Sequence, residues 1–329
     1  MNSSIHQQIR QLFESSANFL IVSHIRPDGD AVGSLLGLGL ALQASGKNVQ
    51  MVLADGVPSS FRQLPGANLI TRKIVSPFDA AIVVDASDLQ RTGGVLNGNI
   101  PDLNIDHHIT NLNFARINFV AAEVEATSSI LAENLPIWGL QINESVAKAL
   151  LTGVVSDTLG FRTSNVRPRT LRLAADLMDK GANLSELYNR ALIRRSYEAT
   201  RFWGHGLEKL QREDHLVWTV LTLADRQKSS YPGNDDADLV NILSSIDNHD
   251  ISLIFVEQKE NHVKVSWRAQ VGWDVSQLAL QFGGGGHPAA SGADIPGSLA
   301  EVQEKVLIAT RKMIQAGPNK KSNPTTGSD

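Results

Sequence analysis

Carboxylate and imidazole side chains recur directly after short apolar runs in the first half of this chain. His24, Asp28 and Asp30 follow Phe19–Val22, and Asp85 follows Ala80–Val84. Asp106, His107 and His108 follow Leu103–Ile105, and Asp157 follows the run LLTGVVS. Singly, each has an ordinary structural use. Asp30 is placed to cap a helix starting at Ala31, Asp157 to begin a turn, and Asp106 to orient a histidine. Together, five aspartates brought to one sheet edge would repel one another and take up protons unless cations were present. Two divalent ions remove that conflict, and a carboxylate shared between them holds them about 4 Å apart. The chain has no cysteine. Its ligands are therefore Asp, Glu or His, a mixed set that favours Mn²⁺ or a similar hard-to-borderline ion.

The elements that must position these residues follow from the hydrophobic pattern. Phe19–Val22, Val49–Leu53, Ala80–Val84 and Leu103–Ile105 read as buried strands, and Ala31–Ser45 as a helix stopped by Gly46. Further helical patterns cover Thr127–Asn134 and Ser145–Gly153. Strands alternating with helices predict an α/β fold with a parallel sheet covered on both faces. In such sheets ligands bind beyond the carboxyl ends of the strands, where the acidic residues fall. Two helical stretches, Pro168–Lys180 and Leu184–Gln211, lead to a second pattern. There His215–Leu223, Ile251–Glu257 and His262–Ala269 read as strands and Asp238–Ser245 as a helix. The predicted organisation is a domain over 1–190, a helical linker over 191–213, a smaller α/β domain over 214–316 and a disordered tail over 317–329.

The second domain carries its own candidate site, Phe282-Gly283-Gly284-Gly285-Gly286-His287-Pro288-Ala289-Ala290-Ser291-Gly292. Asp274 and Gln277 are spaced as a capping pair for the helix before it. Gly284, Gly285 and Gly286 would let backbone N–H groups approach a phosphate or base, and His287 adds a donor. Arg268 ends the strand pattern VKVSWRA. It is either an exposed strand-end charge or a planar fork for phosphate. Trp267 and Trp273 lie nearby and read as packing residues ahead of base-stacking ones.

Composition excludes several alternatives. Hydrophobic residues make up 42% and charged residues 19%, as in an ordinary globular protein. The net charge of -4 argues against a protein that tracks long nucleic acid, and an aromatic content of 5% against a long stacking platform. The polar N-terminus has no apolar signal core, and no run approaches the length that crosses a bilayer. A cytoplasmic protein without a membrane partner is expected. Its oligomeric state is open, a homodimer included.

HIRPDGDAVGS, VVDASD, DHH and VVSDTLGFRTSN resemble, in order, the four motifs of the DHH phosphoesterase superfamily, and they span residues 24–165. That superfamily includes RecJ-type exonucleases and family II pyrophosphatases. The resemblance implies that His24 and Asp28 hold a first metal, that Asp30, His107 and Asp157 hold a second, and that Asp85 bridges them. Asp106 would orient a histidine, and His108 would face the substrate phosphate. Loss of Asp85 would then abolish turnover and, by relieving repulsion, raise the stability of the metal-free protein. KVSWRA and GGGGHPAASG resemble the DHH-associated nucleic-acid-binding domain over about residues 215–316. This pairing in a chain of 329 residues is similar to the nano-RNase and pAp-phosphatase group, which hydrolyses very short RNA and adenosine 3′,5′-bisphosphate (pAp). A phosphodiesterase for cyclic di-AMP or pApA is the runner-up. A nucleotide-binding regulatory module without turnover comes third, since no metal-ligand position is missing.

Overall fold

The computed structural model describes residues 2–318, with side chains from Ser4 onward, and divides into two compact units at Arg194/Arg195. Residues 319–329 of the expected tail lie outside the described residues.

The first unit is built on six parallel strands: β1 (Asn18–Val22), β2 (Asn48–Val52), β3 (Ile70–Thr71), β4 (Ala80–Val84), β5 (Leu103–Asp106) and β6 (Ile117–Val120). Their order is β3-β2-β1-β4-β5-β6, so the α/β expectation holds. In this doubly wound order the chain reverses its direction of travel between β1 and β4, which opens a crevice beyond their carboxyl ends. The sequence places His24 after β1 and Asp85 after β4, one on each side of that crevice.

The main core lies on one face of the sheet. It is formed with α1 (Asn2–Ser15), α2 (Gly29–Ala44), α3 (Thr127–Asn134), α4 (Glu144–Asp157), α5 (Pro168–Asp179) and α6 (Leu184–Tyr188). The opposite face has a smaller core of Leu20, Val22, Val52, Ala81, Val83, Ala86 and Leu96. The β4–β5 connection, made of turns and a single 3-10 turn (Gln90–Thr92), contributes Ala86 and Leu96 to its cover. α1 went unread in the polar N-terminus, although Ile9 and Phe13, one helical turn apart, are both buried.

The expected helix over Ser145–Gly153 is longer and changes the reading of Asp157. α4 runs to Asp157, so this residue ends a helix and does not follow a strand. The run LLTGVVS is continuous because α4 is buried between neighbours, and a helix buried all round has no polar stripe to reveal its period. α2 and α4 cross closely. A Cβ on Gly33 would stand 2.6 Å from the Ala149 carbonyl oxygen and 2.8 Å from the Gly153 nitrogen. That close crossing brings the end of α4 to the start of α2, where Asp28 and Asp30 lie.

The second unit contains α7 (Tyr197–Glu208), β7 (Gln211–Glu213), β8 (Leu216–Leu221), α8 (Leu223–Ser229), α9 (Leu239–Leu243), β9 (Ile251–Gln258) and β10 (His262–Ala269). It is completed by α10 (Ser276–Gln281), β11 (Gly285–His287), β12 (Ala290–Pro296) and α11 (Leu299–Ala316). The sheet order is β11-β12-β10-β9-β8-β7, with only β8 and β9 parallel. α7, within the segment read as a linker, buries Phe202 in a core with Leu221, Leu239 and Ile254. No helix among the described residues is long and apolar enough to cross a membrane.

Candidate metal centre

Asp85 stands at the middle of the first unit's acidic cluster. It follows β4 with φ +56°, a left-handed backbone that Asp tolerates better than most residues. Its side chain is 2% exposed. One oxygen, Oδ2, lies 3.6 Å from His24 Nε2, and the other, Oδ1, lies 3.6 Å from His107 Nε2. Thr127 Oγ1 donates to Oδ1 at 3.0 Å. The carboxylate therefore addresses two separate groups. His24, Asp28 and Asp85 offer ligand atoms within 4.8 Å of one another, and so do Asp30, Asp85 and His107. His107 Nε2 is also 3.4 Å from Asp157 Oδ2.

Both histidines are oriented from behind. The Ile25 carbonyl accepts from His24 Nδ1 at 2.8 Å, which leaves the Nε2 lone pair facing the carboxylates. The Val124 carbonyl lies 3.3 Å from His107 Nδ1 in the same manner. Asp106, fully buried, accepts from the His107 backbone N–H at 2.9 Å and from His108 Nδ1 at 2.7 Å. It thus orients the ring of His108. Asn111, which sequence reasoning missed, donates to Asp106 Oδ2 at 2.6 Å and to the Ala86 carbonyl at 3.1 Å. Its only signal was its place three residues after His108.

The helix-capping reading of Asp30 is corrected. Asp28 is the cap of α2, accepting from the Asp30 and Ala31 N–H groups at 3.0 Å each. Asp30, in the first turn, accepts from Thr127 N–H at 2.7 Å and Ser128 N–H at 3.0 Å. The positive end of α3 therefore supports a negative Asp30, from a segment too distant in sequence to have been read. Asp157 has the opposite surroundings, because the carboxyl end of α4 adds negative potential to its own charge.

The electrostatics separate the aspartates. Burial pushes the Asp30 carboxyl up to about 7, and the Asp85 charge adds to that. Burial also carries Asp157 well above its ordinary value, together with the charges of Asp30, Asp28 and Asp85. Asp85 goes the other way. Burial alone would raise it, but the His24 hydrogen bond and the charges of His108, His24 and His107 hold it below the usual carboxylate range. The three imidazoles are raised, because their carboxylate partners outweigh a burial that would lower them. Such a set binds protons where it has no cations. Neutral Nε2 atoms and buried carboxylates are a donor set that fits hard-to-borderline divalent ions.

In the second unit the glycine run has two roles. Gly284 ends α10, donating its N–H to the Ala279 carbonyl at 2.8 Å. A Cβ there would lie 2.1 Å from the Gly292 carbonyl oxygen, whereas one on Gly285 would meet nothing within 4 Å. Gly285, Gly286 and His287 form β11, the edge strand of the sheet, with one backbone edge turned away from β12. Gly284→Ala should destabilise the protein by about 1–3 kcal/mol through overpacking, while Gly285→Ala should leave the melting temperature within a few degrees. Equal melting temperatures for the two variants would contradict this division. The expected Asp274–Gln277 pair is replaced by a local turn, in which Asp274 Oδ1 accepts from the Ser276 N–H at 3.0 Å and from its hydroxyl.

Arg268 is half-buried, not an exposed charge. Its Nε donates to Asn241 Oδ1 at 3.0 Å and a terminal nitrogen to the Trp267 carbonyl at 3.0 Å. Burial lowers its pKa against the charges of Asp236 and Asp238. Trp267 is fully buried and Trp273 packs on the same core, in keeping with their packing role.

Residues 18–154 match the DHH family, N-terminal domain, and residues 220–315 match the DHHA1 domain. The bifunctional oligoribonuclease and PAP phosphatase NrnA of Thermus thermophilus is 33% identical over 299 residues, which cover 89% of this chain and 89% of that one. The chain belongs to the DHH family. Another relative, the protein of the same name from Mycoplasma pneumoniae, is 28% identical over 94% of this chain and 100% of its own. Among solved structures, an exopolyphosphatase-related protein from Bacteroides fragilis is similar with a TM-score of 0.87 at 26% identity, covering 95% of this chain and 98% of that one.

Proposed function

We propose that this chain is a metal-dependent phosphoesterase that hydrolyses short oligoribonucleotides to 5′-mononucleotides and removes the 3′-phosphate of pAp. The observation that carries this reading is Asp85, whose two oxygens face two different histidine–carboxylate groups. His24, Asp28 and Asp85 would hold one cation, and Asp30, Asp85, His107 and Asp157 the other, with Mn²⁺ preferred. When bound, the cations supply Lewis acidity to the phosphoryl group and make a water more acidic at neutral pH. The protein's residues do the rest. The Ile25 and Val124 carbonyls fix the histidine tautomers. Asp106 accepts from His108 Nδ1, and its charge with that of Asp85 favours the doubly protonated ring, which steadies charge on the phosphoryl oxygens. Arg268, the Gly285–Gly286 edge and His287 bind a second phosphate or base of the substrate, while Gly284 shapes the loop.

The names borne by the Thermus and Mycoplasma relatives support this substrate class, as do the net charge of -4 and the buried Trp267. A protein with one anchor and little attraction for long polyanions should favour short chains. These substrates arise where RNA is turned over, so we place the activity in the cytoplasm. Rates on 2-mer, 5-mer and 24-mer RNA, on pAp and on cyclic di-AMP, at fixed Mn²⁺ and salt, test the reading. The 2-mer and pAp should be turned over at least about tenfold faster than the 24-mer, as expected if only short substrates use both contacts. A 24-mer degraded as fast as the 2-mer, or activity on cyclic di-AMP alone, would overturn it.

A further inference from the structure

One cation beside the metal centre has no task in the scheme above. Arg91 lies in the turn Gln90–Thr92, part of the connection that follows Asp85. Its backbone is fixed at both polar groups. The Arg91 carbonyl accepts from the Ile25 N–H at 2.7 Å, and the Arg91 N–H donates to Asp88 Oδ1 at 3.0 Å. Ile25 adjoins His24, so the turn is fastened to the loop that carries the first histidine. That hydrogen bond carries Arg91 beside the His24 loop, and its side chain is half-buried there.

The side chain is half-buried, yet among the described residues Arg91 forms no ion pair. Asp88, the acid nearest in sequence, uses its carboxylate on the Ser87 hydroxyl at 3.0 Å and on the Arg91 backbone. The closest ion-pair neighbours of Asp28 and Asp85 are histidines. Once two divalent ions balance the charges of Asp28, Asp30, Asp85 and Asp157, Arg91 is left as surplus positive charge on the site. A purely structural arginine would be matched by a carboxylate or stacked on a ring, and neither is found here among the described residues. A planar fork of N–H donors beside a neutralised metal centre suits the oxygens of a phosphoryl group.

We propose that Arg91 contacts the reacting phosphoryl group and is a phosphate-binding residue of the catalytic site. This rests on the phosphoesterase reading, but its test does not require the nucleotide substrate to be right. R91Q and R91K would be prepared as Mn²⁺-loaded full chains and compared with the unchanged protein. Mn²⁺ content and affinity, thermal melting, binding of inorganic phosphate by calorimetry, and kcat and KM on pAp and a 2-mer would be measured.

R91Q should bind phosphate about tenfold more weakly and lose on the order of 100-fold in kcat/KM, the scale of a charge-assisted hydrogen bond to a phosphoryl oxygen. Its Mn²⁺ affinity and melting temperature should be unchanged, and R91K should recover part of the loss. The proposal is overturned if R91Q matches the unchanged protein in phosphate binding and kcat/KM. It is equally overturned if R91Q loses Mn²⁺ in step with activity, or if the unchanged protein binds no phosphate. A phosphate-binding defect in R91Q, in a protein inactive on RNA and pAp, would support Arg91 and sink the substrate reading instead.

Discussion

Asp85→Asn is expected to lower turnover by at least about 1,000-fold, because in the proposed two-ion arrangement it would weaken both cation sites and remove several kcal/mol of charge stabilisation from the transition state. Asn is the better replacement than Ala, since Asn also tolerates the left-handed backbone found at this position. The same variant separates two accounts of the metal-free protein. Repulsion among aspartates alone would make Asp85→Asn more stable than the parent. The geometry reverses that sign. The fold holds the Asp85 carboxyl below its ordinary range through His24, His107 and His108, so it is the charged form that the fold favours. The metal-free variant should therefore be less stable, by about 1–3 kcal/mol. Calorimetric melting in the presence of a chelator measures this, and a higher melting temperature for Asp85→Asn would show that the histidines are not its partners.

The second large effect is on pH. Asp30 has a folded pKa of about 7 against an ordinary 3.8, so the folded state binds the proton more tightly. Its contribution to stability is present below pH 3.8 and is lost as pH rises towards 7. On a buried carboxyl, a rise of that size corresponds to on the order of 4 kcal/mol. Asp157 is raised and has the same sign. His24, His107 and His108 are also raised, and their contributions fade as pH climbs beyond 6.5. Asp85 is lowered, so its contribution is complete above 3.8 and constant from about pH 5 to 8. The metal-free protein should thus lose stability steadily between about pH 5 and pH 8. Mn²⁺ should remove most of that loss, because cations replace the protons. Urea unfolding at several pH values, with and without Mn²⁺, reads both. A metal-free protein equally stable at both ends of that range would contradict the proton-loaded cluster.

The parallel sheet was legible because its central strands are short apolar runs, each followed at once by a polar group. α2 was legible because Gly46 stops it with a left-handed backbone. α4 was misjudged at its end because residues 149–155 are all buried and show no polar face, and with it went the setting of Asp157. The partners of Asp30 were hidden for another reason. They are backbone N–H groups of Thr127 and Ser128, which any residue type could supply, at the far end of a tertiary contact. Arg268 was hard to place because its partner Asn241 comes from α9, across the second unit. Asn111 and Arg91 follow their motifs closely but have side chains common on surfaces. Only the hydrogen bonds of Asn111 and, among the described residues, the lack of an ion pair at Arg91 set them apart.

Titrating Mn²⁺ into chelator-stripped protein, with electron paramagnetic resonance and phosphate release followed on the same samples, tests the shared-carboxylate centre most directly. Two ions sharing Asp85, as proposed, would lie about 4 Å apart and be spin-coupled. The account therefore predicts saturation at two ions per chain, a coupled signal that grows with the second equivalent, turnover that rises with it, and loss of the coupled signal in Asp85→Asn. Saturation at one ion per chain with full turnover, or full turnover in the stripped protein, would contradict it.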